Sequence, residues 1–190
     1  VQFEHEQALR GKIGAELWTL LKEKWRQAGQ NLERPIGAGM SLMGPVIRFI
    51  LELQVANRSY DGIVRQLQSS QKGVSDRIFN ASEKHNNHKL ARHIVGIERW
   101  GQHRLCCALG EPLVMDDADG YILRESHSGG HIAQDFDIAR RETLALAQVL
   151  SATAGIEKQK VRHNEFGPLS VKGWLMYLNV HAEIESKKLR

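Results

Sequence analysis

His181 and Glu185 stand four residues apart in the closing stretch YLNVHAEIESKKLR. On a helix that spacing puts both side chains on one face, about 6 Å apart at the backbone. The same face carries Leu178 and Leu189, so it is expected to be buried. A carboxylate taken out of water needs compensation from a Lys or Arg, a proton, or a metal ion, because leaving it alone costs several kcal/mol. An imidazole and a carboxylate one turn apart both reach a single cation, as helical His-x-x-x-His sites do. His93 falls in the apolar stripe of an earlier helix and would supply a third ligand from a facing element. The bland account stands beside this one. A lone His on an apolar stripe is more often a hydrogen-bonded core residue, and Glu185 has Lys188 and Lys172 to pair with.

A divalent ion held by two neutral imidazoles and one carboxylate keeps net positive charge and open coordination positions. It lowers the pKa of a bound water, or binds a thiol as thiolate. Zn, Ni, Fe and Mn all suit such ligands, and the sequence does not choose among them. Other chemistry is poorly supported. Asp116, Asp117 and Asp119 precede Gly120 without the spacing or terminal Glu of a calcium loop, and read as a solvated turn. The adjacent Cys106 and Cys107 point about 100° apart on a helix, so they neither bridge nor form a metal pair. Only His103 and Arg104 lie near them, too little to make either a nucleophile. That cysteine usage favours a reducing, cytoplasmic setting. His85 and His88 sit in polar context and are expected to be exposed; His127, His131 and His163 fall in loops or helix starts. There is no GxSxG, Walker or dinucleotide fingerprint.

The elements that must position these residues are helical, with little strand alternation. A first helix is expected over Glu4 to Gln27, with Ile13, Leu17, Leu20 and Leu21 on one side and Trp18 and Trp25 widening the stripe. RPIGAGMSLMGP then reads as an elbow. A second helix runs from Val46 through Phe49, Leu53, Ile63 and Leu67, with polar SSQKGVSD marking its end. The third covers His88 to Leu109, stopped by Gly110 and Pro112. After the irregular EPLVMDDADGYILRESHSGG comes a fourth, Ile132 to Thr153. A turn-rich HNEFGPLS leads to the last, N-capped by Ser170. The expected fold class is all-α, an antiparallel four-helix bundle over residues 46–190, with an extra N-terminal helix and linker over 1–45. The 190 residues suit one well-buried core. A formal charge of +4 arises from interspersed signs, which argues against a nucleic-acid partner. The most apolar region, MSLMGPVIRFILELQVA, is broken by Pro45, Arg48 and Glu52, so no membrane span is expected.

The block HKLARHIVGIERWGQHRLCCALGEP resembles the second core helix of the DinB-like superfamily, metalloenzymes built on a four-helix bundle. There an apolar-flanked His precedes a Glu-Arg-aromatic run and then Gly-Glu, matched here by His93, by Glu98, Arg99 and Trp100, and by Gly110 and Glu111. DDADGY is similar to the Asp- and Gly-containing loop of several members, and FGPLSVKGWLMYLNVHAEIE to their last helix. The resemblance spans roughly residues 46–190. It implies a metal site at His93, His181 and Glu185, and metal-dependent hydrolysis or S-transfer with a low-molecular-weight thiol on a small-molecule substrate. It also implies a homodimer. One departure is that many members carry a second His where this chain has Glu185. The competing expectation is a non-catalytic helical binding or stress-response protein, in which the three residues form a structural polar cluster.

Overall fold

A computed structural model describes residues 43–81, 85–122 and 128–190. The helix expected over Glu4 to Gln27 and most of its linker lie outside the described residues. Among the described residues five helices pack together with a small two-stranded hairpin: α1 (Met43–Val55), α2 (Tyr60–Phe79), α3 (His85–Cys107), α4 (Gly129–Ala152), β1 (Lys160–His163), β2 (Gly167–Ser170) and α5 (Val171–Ser186). A 3-10 turn, Ala118–Tyr121, lies between α3 and α4. Among the described residues no helix is long and apolar enough to cross a membrane.

Local chemistry explains where the expectations needed correcting. The helix expected to run unbroken past Leu53 is two helices. Ser59 caps the second, its hydroxyl accepting from the Gly62 N–H at 3.1 Å. The apolar stripe crosses the break intact because Leu51, Val55, Ile63 and Leu67 all enter one cluster. SSQKGVSD does not end α2 either; Ser70 and Val74 continue its buried face. Ser170 caps α5 as expected, accepting from Gly173 N–H at 3.0 Å.

The hairpin corrects the all-α expectation. Strands of four residues are too short to show alternation, and HNEFGPLS read only as a turn. The pairing is antiparallel, with Lys160 opposite Ser170 and His163 opposite Gly167. His163 Nδ1 accepts from the N–H groups of Glu165 at 3.1 Å and Phe166 at 3.3 Å, and Gly167 supplies the positive φ that closes the turn. Trp174 Nε1 donates to the Val161 carbonyl at 2.9 Å and ties the hairpin to α5. α1 lies so close to the turn that a Cβ at Gly44 would collide with the Glu165 carbonyl.

Side-chain pairings fix the helix directions. α2 and α5 run parallel, because Ser70 meets Asn179 and Arg77 meets Ser186, each pair 109 residues apart. α3 and α4 also run parallel, with Arg99 on Asp135 and Gln102 on the Ala139 carbonyl, offsets of 36 and 37 residues. α3 and α5 oppose each other, since Gly101 faces Leu178 while His93 faces His181. Around the stack the order is α2, α4, α3, α5. The simple antiparallel arrangement is therefore corrected: the long irregular segment lets α4 start again at the end where α3 began.

Two apolar clusters fill the interior. One gathers Leu51, Leu67, Trp100, Ala147, Leu150, Trp174 and Leu178, and the other Val74, Ile78, Ile94, Ile132, Phe136 and Ala182. Ser70, Glu98, Arg140, Thr143 and Asn179, one or two from each of α2 to α5, form a buried polar layer between them. Arg140 pairs with Glu98 at 2.9 Å through Nε, and its Nη2 donates to Glu98 Oε2 at 3.0 Å. Thr143 donates to Glu98 Oε1 at 2.7 Å, and Ser70 and Arg140 both donate to Asn179 Oδ1.

Candidate functional site

α3 and α5 bring His93 and His181 together from opposite directions. Their ring centroids lie 5.2 Å apart at 64°. His181 and Glu185 are buried on α5 and His93 is half-buried on α3. Glu185 thus occupies the buried face that its spacing predicted.

Burial holds both imidazoles below the ordinary histidine value. At His181 the charges of His93, Lys188 and His163 act in the same direction. At His93, Glu185 and Asp119 pull upward against burial, and Lys188 and Lys89 assist it. Two neutral imidazoles are what nitrogen ligation of a metal requires. The carboxylate has a partner already: Lys188 Nζ donates to Glu185 Oε1 at 2.7 Å. Among the described residues no group of three or more His, Cys, Asp or Glu side chains is arranged to hold a metal ion. The donor set fits a borderline divalent cation in kind, with two nitrogens and one oxygen, while the oxygen donor is engaged by an ammonium.

The other residues singled out in the sequence fall elsewhere. Asp116 is no solvated turn residue. Its Oδ1 accepts from Arg104 Nη2 at 3.1 Å and Trp100 Nε1 at 3.3 Å, and its Oδ2 from the Tyr121 hydroxyl at 2.6 Å. Burial pushes the Asp116 carboxyl up, but the Tyr121 hydrogen bond and the Arg104 guanidinium outweigh it and leave it below the usual value. Burial, then Asp116 itself, pushes the Tyr121 phenol up to about 12. His103 Nδ1 lies 2.9 Å from the Tyr121 hydroxyl. Arg104 also donates to Asn164 Oδ1 at 3.0 Å, so these contacts fasten the crossover segment to α3 and to the hairpin turn.

His88 is half-buried rather than exposed, and His131 is exposed at the start of α4. His127 and the His85 side chain lie outside the described residues. Cys106 and Cys107 are half-buried, and burial raises both thiols, so neither is activated.

His163, set aside in the sequence as a loop residue, is buried. It stacks on Phe166 at 4.0 Å, and Trp100 and Tyr177 meet it edge-on at 5.0 and 4.8 Å. Burial, then Arg104, lowers its pKa to about 3. The aromatic run that encloses it comes from three separate elements, so no local pattern announced it. Comparison of the chain with protein-family models, curated proteins and solved structures finds no match.

Proposed function

We propose that the chain is a DinB-like four-helix protein in which His93, His181 and Glu185 hold a divalent metal ion. It would act as a metal-dependent enzyme of the thiol S-transferase or hydrolase type on a small-molecule substrate. The observation that carries this reading is the meeting of two neutral imidazoles from opposed helices, 5.2 Å apart, with a buried carboxylate one turn beyond. The long crossover between two parallel helices accords with a bundle that is not simply up-and-down.

In this reading His93 and His181 present nitrogen lone pairs kept free of protons by burial. Glu185 contributes the negative charge and the oxygen donor. When bound, the ion would supply a nucleophile at neutral pH by acidifying a water or a thiol. The two free, half-buried cysteines accord with a reducing, cytoplasmic setting.

Metal content tests the assignment. Protein purified without a histidine tag should carry bound metal, and His93→Ala and His181→Ala should each lose most of it while keeping the helical circular dichroism of the parent. Equal metal in parent and both variants counts against the site. A second reading has its own observation, the Lys188–Glu185 ion pair. It makes the three residues a structural cluster in a non-catalytic helical protein, and it requires a parent chain that binds no metal.

A further inference from the structure

We propose that the outward face of α1 is a docking surface for the N-terminal segment of the same chain, with Trp18, Leu21 and Trp25 set against Val46, Phe49 and Leu53. The inference is independent of the metal reading.

α1 has its polarity inside out. Its inner side sends Ile50, Leu51 and Val55 into the interior. Its three polar side chains, Arg48, Glu52 and Gln54, are half-buried as well. Glu52 Oε1 accepts from the Ser170 N–H at 2.7 Å, and Arg48 reaches the hairpin turn at Gly167. What faces outward is apolar: Val46, Phe49 and Leu53 are 42 %, 62 % and 47 % exposed. Not one exposed residue of α1 is polar. A surface helix turns its charges to water, and a helix apolar on both sides belongs under cover. Steps of three and then four residues align Val46, Phe49 and Leu53 in a single stripe.

The chain itself supplies a cover of matching pattern. The segment ahead of Met43 lies outside the described residues and leads directly into α1. Its sequence carries Trp18, Leu21 and Trp25 at the same three-then-four spacing, within the helix expected over Glu4 to Gln27. Fifteen residues, 28–42, join the two stripes and include Gly29, Pro35, Gly37 and Gly39. A connection of that length reaches about 50 Å when extended, and α1 is only about 20 Å long. The segment can therefore turn back along α1. A tether this short holds the two stripes at an effective concentration on the order of millimolar, which favours this segment over a second copy of the chain.

Acrylamide quenching of tryptophan fluorescence in the full chain tests the docking. Of the four tryptophans, Trp100 and Trp174 are buried in the core, so Trp18 and Trp25 report on the segment. All four should be shielded in the parent. Phe49→Glu/Leu53→Glu and, separately, Phe49→Ser/Leu53→Ser should make two of the four quenchable, while light scattering gives the same mass as for the parent. Continued shielding of the other two shows that the core has kept its fold. Val149→Glu, at an exposed apolar position on α4, should change nothing. Trp18 and Trp25 already quenchable in the parent, or still shielded in both double variants, overturns the inference. So does a parent dimer that either double variant dissociates, because the cover is then a second copy.

Discussion

Glu98 and Glu185 are both buried carboxylates, 1 % and 6 % exposed, and each has a cation close by: Arg140 at 2.9 Å and Lys188 at 2.7 Å. Their settings differ. Glu98 lies in a layer to which four helices contribute, and its Arg140 is completely buried. Thr143 also donates to it, and the guanidinium makes a further hydrogen bond to Asn179. Glu185 is compensated from one side, by a flexible lysine with access to solvent. The first arrangement leaves little room for an alternative partner, because both side chains are buried and each replacement would leave a charge stranded. The second is held by one partner at the edge of solvent. Burial of a carboxylate therefore says little by itself about its role; whether its partner can leave says more.

Breaking each pair separately turns this contrast into numbers. Arg140→Met should give the largest loss, about 3–5 kcal/mol in urea unfolding, because Glu98 would be left charged and uncompensated. The double variant Glu98→Leu/Arg140→Met should recover most of it. A loss below about 1 kcal/mol for the single variant would mean that the layer is wetter than its geometry implies.

Acid should come next. His163 stays neutral in the fold down to about 3, whereas an unfolded histidine takes up its proton near pH 6.5. Below that pH the unfolded chain binds more protons, so stability should fall as pH is lowered from about 6.5 toward 3. His93 and His181 act with the same sign, since both are also depressed. From pH 6.5 to 4.5 His163 alone should account for about 2 kcal/mol. The slope of urea midpoint against pH should be visibly shallower in His163→Gln; an unchanged slope would show that this ring titrates normally.

Glu185→Gln should give the smallest change, about 0.5–1 kcal/mol, because Lys188 can turn to water when its partner is neutralised. A loss approaching that of Arg140→Met would place both carboxylates in one class and remove the distinction drawn between them.

Much of this arrangement was readable beforehand, and the parts that were not share a cause. Period alone located α3 and α5, and it put His93, His181 and Glu185 on inward faces, because an amphipathic helix leaves its stripe in the sequence. The break between α1 and α2 left no trace, since Val55 and Ile63 enter one cluster on either side of it. The polar layer was hidden for the opposite reason: Ser70, Arg140 and Asn179 look like surface residues until their partners from other helices are in place. His163 and Asp116 belong to the same category, each defined by side chains of other elements, Trp100 and Tyr177 around His163 and Arg104 and Trp100 on Asp116. The parallel course of α3 and α4 had a clue in the length of the segment between them, but direction is a tertiary property. Lys188 was named as a partner for Glu185 from proximity in sequence, and the two pair at 2.7 Å.

The pairing of α2 with α5 has a consequence for how the chain folds. Ser70–Asn179 and Arg77–Ser186 each span 109 residues, so the stack closes on itself through its most distant helices. Helical bundles owe their speed to short-range contacts, and this one gives up part of that advantage. During synthesis α2 must wait with Leu67 and Val74 uncovered on one side until α5 leaves the ribosome. The interval before that last helix arrives is when the growing chain is most open to aggregation and to chaperones.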